Sequence, residues 1–341
     1  VPALLADLTT LRLGGPPARL VTATSTEELV DAVRSGDAGG EAVLIVGGGS
    51  NLVVADEGWP GLAILVRTSG IDSIDHDGGK SVAVTVQAGV GWDSVVATSV
   101  RAGWSGLAAM SGIPGLAGAT PIQNVGAYGS EVADVISAMT VLDRDTGTVE
   151  TWSPRRCGFG FRTSAFKHTD RYVVLDVTFV LRRSPDGVPV RYLELARRLG
   201  IQAGGVAPSQ QVRDAVLQLR RSKGMLLDPD DRDTWSVGSF FINPFVAPEL
   251  APAGCPQWTV DGQIKLSAAW LIENAGFGKG YGLSRGRGAV ALSTKHTLAL
   301  TNRGDATTAE LLDLAREIRD GVEGKFGVRL RPEAHLAGVD L

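Results

Sequence analysis

Apolar positions along this chain recur in two rhythms, every second residue or every third and fourth. Short glycine sets stand where one rhythm gives way to the other. Ser25-Thr26-Glu27-Glu28 has the form of a capping box ahead of Leu29, Val30 and Val33, and predicts a short amphipathic helix. AVLIVGGG, from Ala42, predicts a strand running into glycine, and LAILVR, from Leu62, predicts a second strand. VAVTVQAG at 82–89 reads as a strand and WDSVVATSVRAG at 92–103 as a helix ended by Gly103. MTVLDRDTGTVETWS at 139–153 is a hairpin candidate with its turn at Asp145-Thr146-Gly147, and RYVVLDVTFVLRR at 171–183 is a long alternating strand. PSQQVRDAVLQLRRSKG at 208–224 turns to helical spacing, with Val212, Val216 and Leu219 on one face. The Asp- and Pro-rich LLDPDDRDTWS follows and marks a domain boundary. A second capping box, Thr307-Thr308-Ala309-Glu310, precedes Leu311, Leu314, Ala315, Ile318 and Val322, the stripe of a core helix.

At 341 residues the chain exceeds one ordinary core, so two or three domains are expected. A content of 44% hydrophobic and 21% charged residues is that of a soluble globular protein. The formal net charge of −4 gives no global case for nucleic acid or an anionic membrane, so any anionic ligand must be met by local basic residues and backbone amides. Cys157 and Cys255 form no C-x-x-C pair, and His76, His168, His296 and His335 have no H-x-x-x-H spacing. Neither a disulfide framework nor a metal site is expected. The opening VPALLADLTTLRLGG lacks the basic region of a signal peptide, and no apolar stretch approaches the roughly 20 residues that span a bilayer. The expected location is the cytoplasm.

Glycine sets give the first chemical signal. Gly47, Gly48 and Gly49, followed by Ser50 and Asn51, leave a strand end where backbone N–H groups can converge on an anion, since no Cβ blocks the approach. The third glycine of the doubly wound dinucleotide fingerprint is missing, because Leu52 stands there, and a strand–loop–strand context fits instead. By itself the set reads first as a tight turn. A second loop, Met110 to Pro121, alternates Gly and Pro through Ser111, Gly112 and Gly115, then runs into Gln123, Asn124 and Gly126 without helical or strand periodicity. Two such loops suit an extended dinucleotide, though paired structural turns remain the plain alternative.

G-G-G-S-N-L (47–52), S-G-I-P-G (111–115), P-I-Q-N-V-G-A-Y-G (121–129), F-G-F-R-T-S-x-F-K (159–167), G-S-F-F-x-N-P (238–244) and R-P-E (331–333) stand in this order across nearly the whole chain. Together they resemble the UDP-N-acetylmuramate dehydrogenase family, also called UDP-N-acetylenolpyruvoylglucosamine reductase. The resemblance implies an α+β protein with the FAD-binding fold of vanillyl-alcohol-oxidase type: residues 1–70 and 71–222 as two FAD-binding subdomains, 223–330 as an α/β substrate-binding domain, and 331–341 returning to the first. It implies FAD as cofactor and NADPH as co-substrate. It also implies the branch with a tyrosine loop, Tyr192 in VRYLEL standing at the mobile tyrosine's position.

Reducing an enolpyruvyl ether adds a hydride to the terminal alkene carbon and a proton to its neighbour, through an enolate-like species that needs fixed donors and one acid. Arg162 offers a planar fork for a carboxylate, but an arginine among aromatics is also an ordinary structural residue. Taken alone, Ser239 in Gly238-Ser239-Phe240-Phe241 reads first as a strand serine bonded to neighbouring backbone, and Glu333 as a surface glutamate. The resemblance makes Ser239 the proton donor and Glu333 the third catalytic residue, acting with Arg162. A carboxylate there repels the developing charge unless it holds or shares a proton. Tyr128, Tyr192, Lys223 and Asn243 are matched to substrate binding, Lys223 as a partner for the diphosphate of the UDP-sugar, against the alternative of a solvated basic helix face. Two departures from the family pattern stand out: a longer loop at Leu226–Trp235, and His296 where a polar amide is expected.

The partners expected are UDP-N-acetylglucosamine enolpyruvate and NADPH, with a monomeric chain, in peptidoglycan precursor synthesis. Two other classes compete. A sugar or hydroxy-acid oxidase on the same fold would reoxidise its flavin in air and ignore the UDP-sugar, and a flavin-binding regulator would be yellow but inert to NADPH. The set Arg162, Ser239 and Glu333 argues against both.

Overall fold

In the computed structural model, which describes residues 3–260 and 262–341, the alternation expected at 82–89, 139–153 and 171–183 is realised in one antiparallel sheet. Its order is Thr148–Trp152, Ile136–Asp143, Tyr172–Arg183, Ser81–Gln87, Ile71–His76, with the short Trp104–Ser105 also paired to Tyr172–Arg183. Val82, Val84 and Val86 point to one face and are buried with Trp92, Val95, Val96 and Val100 of the helix Trp92–Arg101. A register shift between Thr140 and Val141 leaves Leu175 as an extra residue, because Thr140 faces Asp176 and Val141 faces Val174. A bulge of this kind changes the parity of the strand. Val174 and Val177, three residues apart, therefore share the core that holds Trp92, while Val173 and Leu175 enter a separate cluster.

That other cluster is built on the helix Thr26–Ala38 and two parallel strands. Leu29, Val30 and Val33 pack with Val43, Leu62 and Ile64, and Val46 of Val43–Val46 lies opposite Leu65 of Trp59–Val66. The capping box expected at Ser25 forms by half. Ser25 Oγ accepts from the Glu28 N–H at 3.2 Å, but the Glu28 carboxylate takes the Thr24 N–H at 2.7 Å. The preceding threonine competes for the carboxylate with both its N–H and its hydroxyl, which a four-residue motif does not reveal.

Two units result. The first holds the N-terminal segment through Ala18, Gly49–Pro60 and Ser222–Leu341; the second holds Arg19–Gly48 and Gly61–Arg221. Residues 1–70, one group by sequence, thus contribute to both. In the first unit the helix Thr308–Phe326 carries the complete capping box at Thr307 and Glu310, and ends on Gly327 in the left-handed region at φ 67°. Leu311, Leu314, Ala315, Ile318 and Val322 are buried, packed with Phe240, Phe241, Leu271, Leu292 and Leu300. The C-terminal strand His335–Ala337 runs parallel to Leu52–Val54, so the end of the chain returns to its first seventy residues. A sheet of Phe245–Val246, Gln263–Leu266 and Gln257–Val260 and a ladder of Val290–Leu292 with Leu300–Asn302 complete this unit. Among the described residues no helix is long and apolar enough to cross a membrane, and no group of three or more His, Cys, Asp or Glu is placed to hold a metal ion.

Candidate active site

In the second unit the two glycine loops lie against each other. A Cβ on Gly48 would stand 2.8 Å from Gly115 Cα, so the backbones approach more closely than side chains permit. Gly115 itself sits at φ 118°. The loops are held from behind: Gly115 O accepts from Trp92 N at 3.0 Å, and Gly112 N donates to Asp93 Oδ1 at 2.6 Å. Asp93 also takes a two-pronged ion pair from Arg213, at 2.6 and 2.7 Å, which holds its carboxyl below the usual range against partial burial. Sequence reasoning missed both partners, because no local pattern links residue 93 to residue 213. Arg67 was missed too. Its guanidinium donates to Gly47 O at 3.1 Å, and the signal lies in the strands: Val43–Val46 and Trp59–Val66 are parallel, so their carboxyl ends deliver Gly47 and Arg67 side by side.

This arrangement fits a cofactor that carries a pyrophosphate, since it offers glycine backbone where a Cβ could not stand and a cation at the strand ends. The side chains around it divide into two kinds. Ser111 is fully buried and its hydroxyl donates to Ala108 O at 2.7 Å, which makes it part of the turn. Asn124, also buried, spends its amide on Glu131 Oε2, Gly160 O and the Ala133 N–H. What these two present outward is main chain. Gln123 Oε1 accepts from Lys167 Nζ at 3.1 Å, and a Cβ on Gly126 would stand 2.6 Å from Ser130 O.

Arg162 lies at the tip of a tight turn. Gly160 and Thr163 exchange two backbone hydrogen bonds, at 3.1 and 3.3 Å, and Arg162 takes φ 54° between them. Its guanidinium donates to Asn124 O at 3.3 Å and Gly126 O at 2.7 Å, while Asn124 Nδ2 returns a bond to Gly160 O. Segments 121–129 and 159–163 are therefore locked to each other, and the fork is held in one orientation. The strand pair Gly126–Ala127 and Ser130–Glu131 closes through Tyr128 and Gly129, at φ 51° and 82°, a two-residue turn with both central residues left-handed. For tyrosine this costs about 1–2 kcal/mol. The ring meets Tyr192 edge-on, centroids 5.5 Å apart at 85°, so two tyrosines matched to the substrate are brought together. Burial pushes the Tyr128 phenol up to about 12, against the opposing field of Arg220. Arg220, on the helix Ser209–Ser222, is buried at 7% exposure and went unnoticed beside Lys223. An i, i+7 step from Arg213 places the two arginines on one helix face, which is the pattern that could have found it.

The first unit carries the remaining candidates. Glu333 N donates to Phe240 O at 2.8 Å and Ile242 N to Arg331 O at 3.1 Å, around a bridge between Phe241 and Pro332. Ser239 and Glu333, far apart in sequence, thus flank one pair of bonded backbone segments. Phe240 and Phe241 anchor the segment, buried edge to face with centroids 5.0 Å apart. Gly238 adopts φ 75° with open space at its Cβ position, so the dihedral alone demands glycine there. Asn51 Nδ2 donates to Glu333 O at 3.4 Å and Asn51 O accepts from His335 N at 2.9 Å, tying Asn51, which follows Ser50, to the R-P-E segment. Gly49, at φ 60°, has Leu8 O only 1.9 Å from where a Cβ would be.

Asn243 Oδ1 accepts from Ala268 N at 3.0 Å and so caps the helix Ala268–Asn274. Lys223 is half-buried just after the helix Ser209–Ser222, with Gly224 at φ 64° following. The longer loop at 226–235 is pinned. Asp233 accepts from Thr294 N and Oγ1 and from Arg303, and these outweigh its burial and hold its carboxyl low. Lys295 pairs with Asp231. His296 sits in the turn between Val290–Leu292 and Leu300–Asn302, its N–H donating to Ser293 Oγ at 3.2 Å.

Two family models match this chain: "FAD binding domain" over residues 17–153 and "UDP-N-acetylenolpyruvoylglucosamine reductase, C-terminal domain" over 228–337. The UDP-N-acetylenolpyruvoylglucosamine reductase of Thermobifida fusca is 53% identical, with 99% of this chain and 97% of that protein covered. The protein of that name from Saccharopolyspora erythraea is 54% identical over 99% and 95%. Among solved structures, UDP-N-acetylenolpyruvylglucosamine reductase from Thermus caldophilus superposes with a TM-score of 0.68 at 26% identity, covering 98% of this chain and 97% of that one. The α+β class and the FAD-binding fold of vanillyl-alcohol-oxidase type stand on these matches together with the sheets and helices described above. The chain is an FAD oxidoreductase and belongs to the UDP-N-acetylenolpyruvoylglucosamine reductase family.

Proposed function

We propose that this chain reduces UDP-N-acetylglucosamine enolpyruvate to UDP-N-acetylmuramate with NADPH, as a monomer in the cytoplasm, in the peptidoglycan precursor synthesis on which cell shape and division depend. Residues 1–70 and 71–222 serve the cofactor and 223–330 the substrate. FAD is held by the backbone of Gly47, Gly48, Gly49, Gly112, Gly115 and Gly126, with Ser50, Asn51, Gln123 and the main chain of Ser111 and Asn124. When bound, it supplies to the terminal alkene carbon the hydride that NADPH provides. The protein's own groups do the rest. Arg162, its fork fixed by the Asn124 and Gly126 carbonyls, binds the enolpyruvyl carboxylate and stabilises the negative charge that grows there as the C=C bond is spent. Ser239 Oγ–H gives its proton to the neighbouring carbon and regains one from water. Glu333 acts with Arg162 on the same carboxyl group.

Lys223 meets the diphosphate, and Tyr192 and Asn243 position the UDP-sugar. Tyr128, with its phenol at about 12, stays protonated at neutral pH and serves as a hydrogen-bond donor. The observation that carries this reading is the bonding of Phe240–Ile242 to Arg331–Glu333, which sets the serine and the glutamate on adjoining segments. Stopped-flow measurement of the two half-reactions tests it. Ser239→Ala is expected to leave flavin reduction by NADPH near normal while reoxidation by the UDP-sugar falls by about 10²–10⁴, the range for a lost general acid. Equal losses in both halves would refute the role given to Ser239.

A further inference from the structure

We infer that Thr10 is a positioning residue that sets the proton-donating segment against the cofactor-binding glycine loop, an inference that rests on the roles proposed above for Ser239 and Gly49. Thr10 lies outside every motif that carries the family resemblance, in the turn Thr9–Leu13. That turn is rigid. Thr9 Oγ1 donates to Leu13 O at 3.1 Å, Leu11 and Leu13 are buried, and Asn302 Nδ2 donates to Leu11 O at 2.9 Å and Arg12 O at 3.3 Å.

From this platform Thr10 reaches two places at once. Its N–H donates to Gly49 O at 3.2 Å, and its hydroxyl stands 2.6 Å from Ser236 O and 3.5 Å from Gly49 O. A hydroxyl has one proton, and the shorter contact takes it. Ser236 is buried, and its own Oγ accepts from Gly238 N at 3.1 Å, one residue before Ser239. A path of four hydrogen-bonded or covalent steps therefore runs from Gly49 through Thr10, Ser236 and Gly238 to Ser239, all in the first unit.

The two links are separable. Replacing the hydroxyl by a methyl leaves the N–H bond to Gly49 and removes only the bond to Ser236, whose buried carbonyl then has lost its nearest donor. The glycine loop stays as it was and the segment leading to Ser239 is released. Proton delivery depends on placement to a fraction of an ångström, whereas hydride uptake from NADPH makes no use of Ser239.

The test uses the FAD-loaded protein. In Thr10→Val, reoxidation of reduced flavin by the UDP-sugar is expected to slow by about 10- to 100-fold, the range for an ångström-scale misplacement, with a larger solvent deuterium isotope effect. Flavin reduction by NADPH and FAD occupancy should stay within about twofold of the parent, and Thr10→Ser, which keeps the hydroxyl, should restore both rate and isotope effect. Thr10→Ala repeats the comparison should the valine variant fold poorly. Three outcomes overturn the inference: wild-type reoxidation in the valine variant, equal losses in both half-reactions, or a serine variant as slow as valine. Ser239→Ala, run alongside, separates the two levels. If it too reoxidises normally, the role of Ser239 falls; if it collapses while the valine variant does not, only the part given to Thr10 falls.

Discussion

Tyr128 shows how much a single residue's setting changes its chemistry. A left-handed tyrosine is held in a two-residue turn because Gly126–Ala127 and Ser130–Glu131 pair on either side of it. Burial against Tyr192 then disfavours the charged phenolate and pushes the group up to about 12 from its ordinary value of 10. The folded state binds this proton more tightly than the unfolded chain, so the contribution is fully present below pH 10 and is lost as pH rises from 10 through 12. Absorbance titration at about 295 nm should show one tyrosine ionising last, absent in Tyr128→Phe. A phenol titrating near 10 would remove the buried donor from the mechanism. P-I-Q-N-V-G-A-Y-G marked this tyrosine in the sequence, but its turn did not show there: Tyr-Gly is not one of the pairs whose own preference dictates two positive φ values.

At the scale of elements, the helix Trp92–Arg101 and the helix Ser209–Ser222 meet at one carboxylate. Asp93 accepts from Gly112 N and from both arms of Arg213, so it couples the second glycine loop to the helix that leads into Lys223. Its side chain is 41% exposed, so the pair is discounted for solvent screening. Losing the carboxylate in Asp93→Ala is expected to cost FAD binding about 1–2 kcal/mol, roughly 5- to 30-fold in Kd. Asp93→Asn, which can still accept from Gly112, should lose less. The lowered carboxyl makes its contribution present at neutral pH and lost only as pH falls below the ordinary carboxylate range. Fluorescence titration of the apoprotein with FAD checks the order; equal affinities for all three proteins would deny the coupling. The helices and strands themselves were mostly legible, since amphipathic spacing and long alternation act locally. The bulge at Leu175 was not, because it is defined only against the partner strand.

Across the whole molecule, the approach of the two glycine loops joins residues that no spacing relates. Gly48→Ala would place a Cβ 2.8 Å from Gly115 Cα, backbone against backbone, where neither side can rotate away. The variant is expected to purify with little or no yellow flavin while keeping a cooperative thermal transition, because neither glycine belongs to a hydrophobic core cluster. Full flavin content in the variant would show that this approach does not shape the cofactor site. The sequence by itself determined the periodic elements, because backbone preference acts over short segments, and the ordered motifs whose resemblance to a family implied the α+β class, the cofactor and the site residues. Only the tertiary structure decided that Gly48 lies against Gly115, that the Ser239 and Glu333 segments are hydrogen-bonded neighbours, that Asp93 holds Gly112, and that Thr10 bonds to both Gly49 and Ser236. Those relations come from burial and long-range hydrogen bonding, whose partners are chosen by packing the entire chain and leave no trace in the spacing of letters.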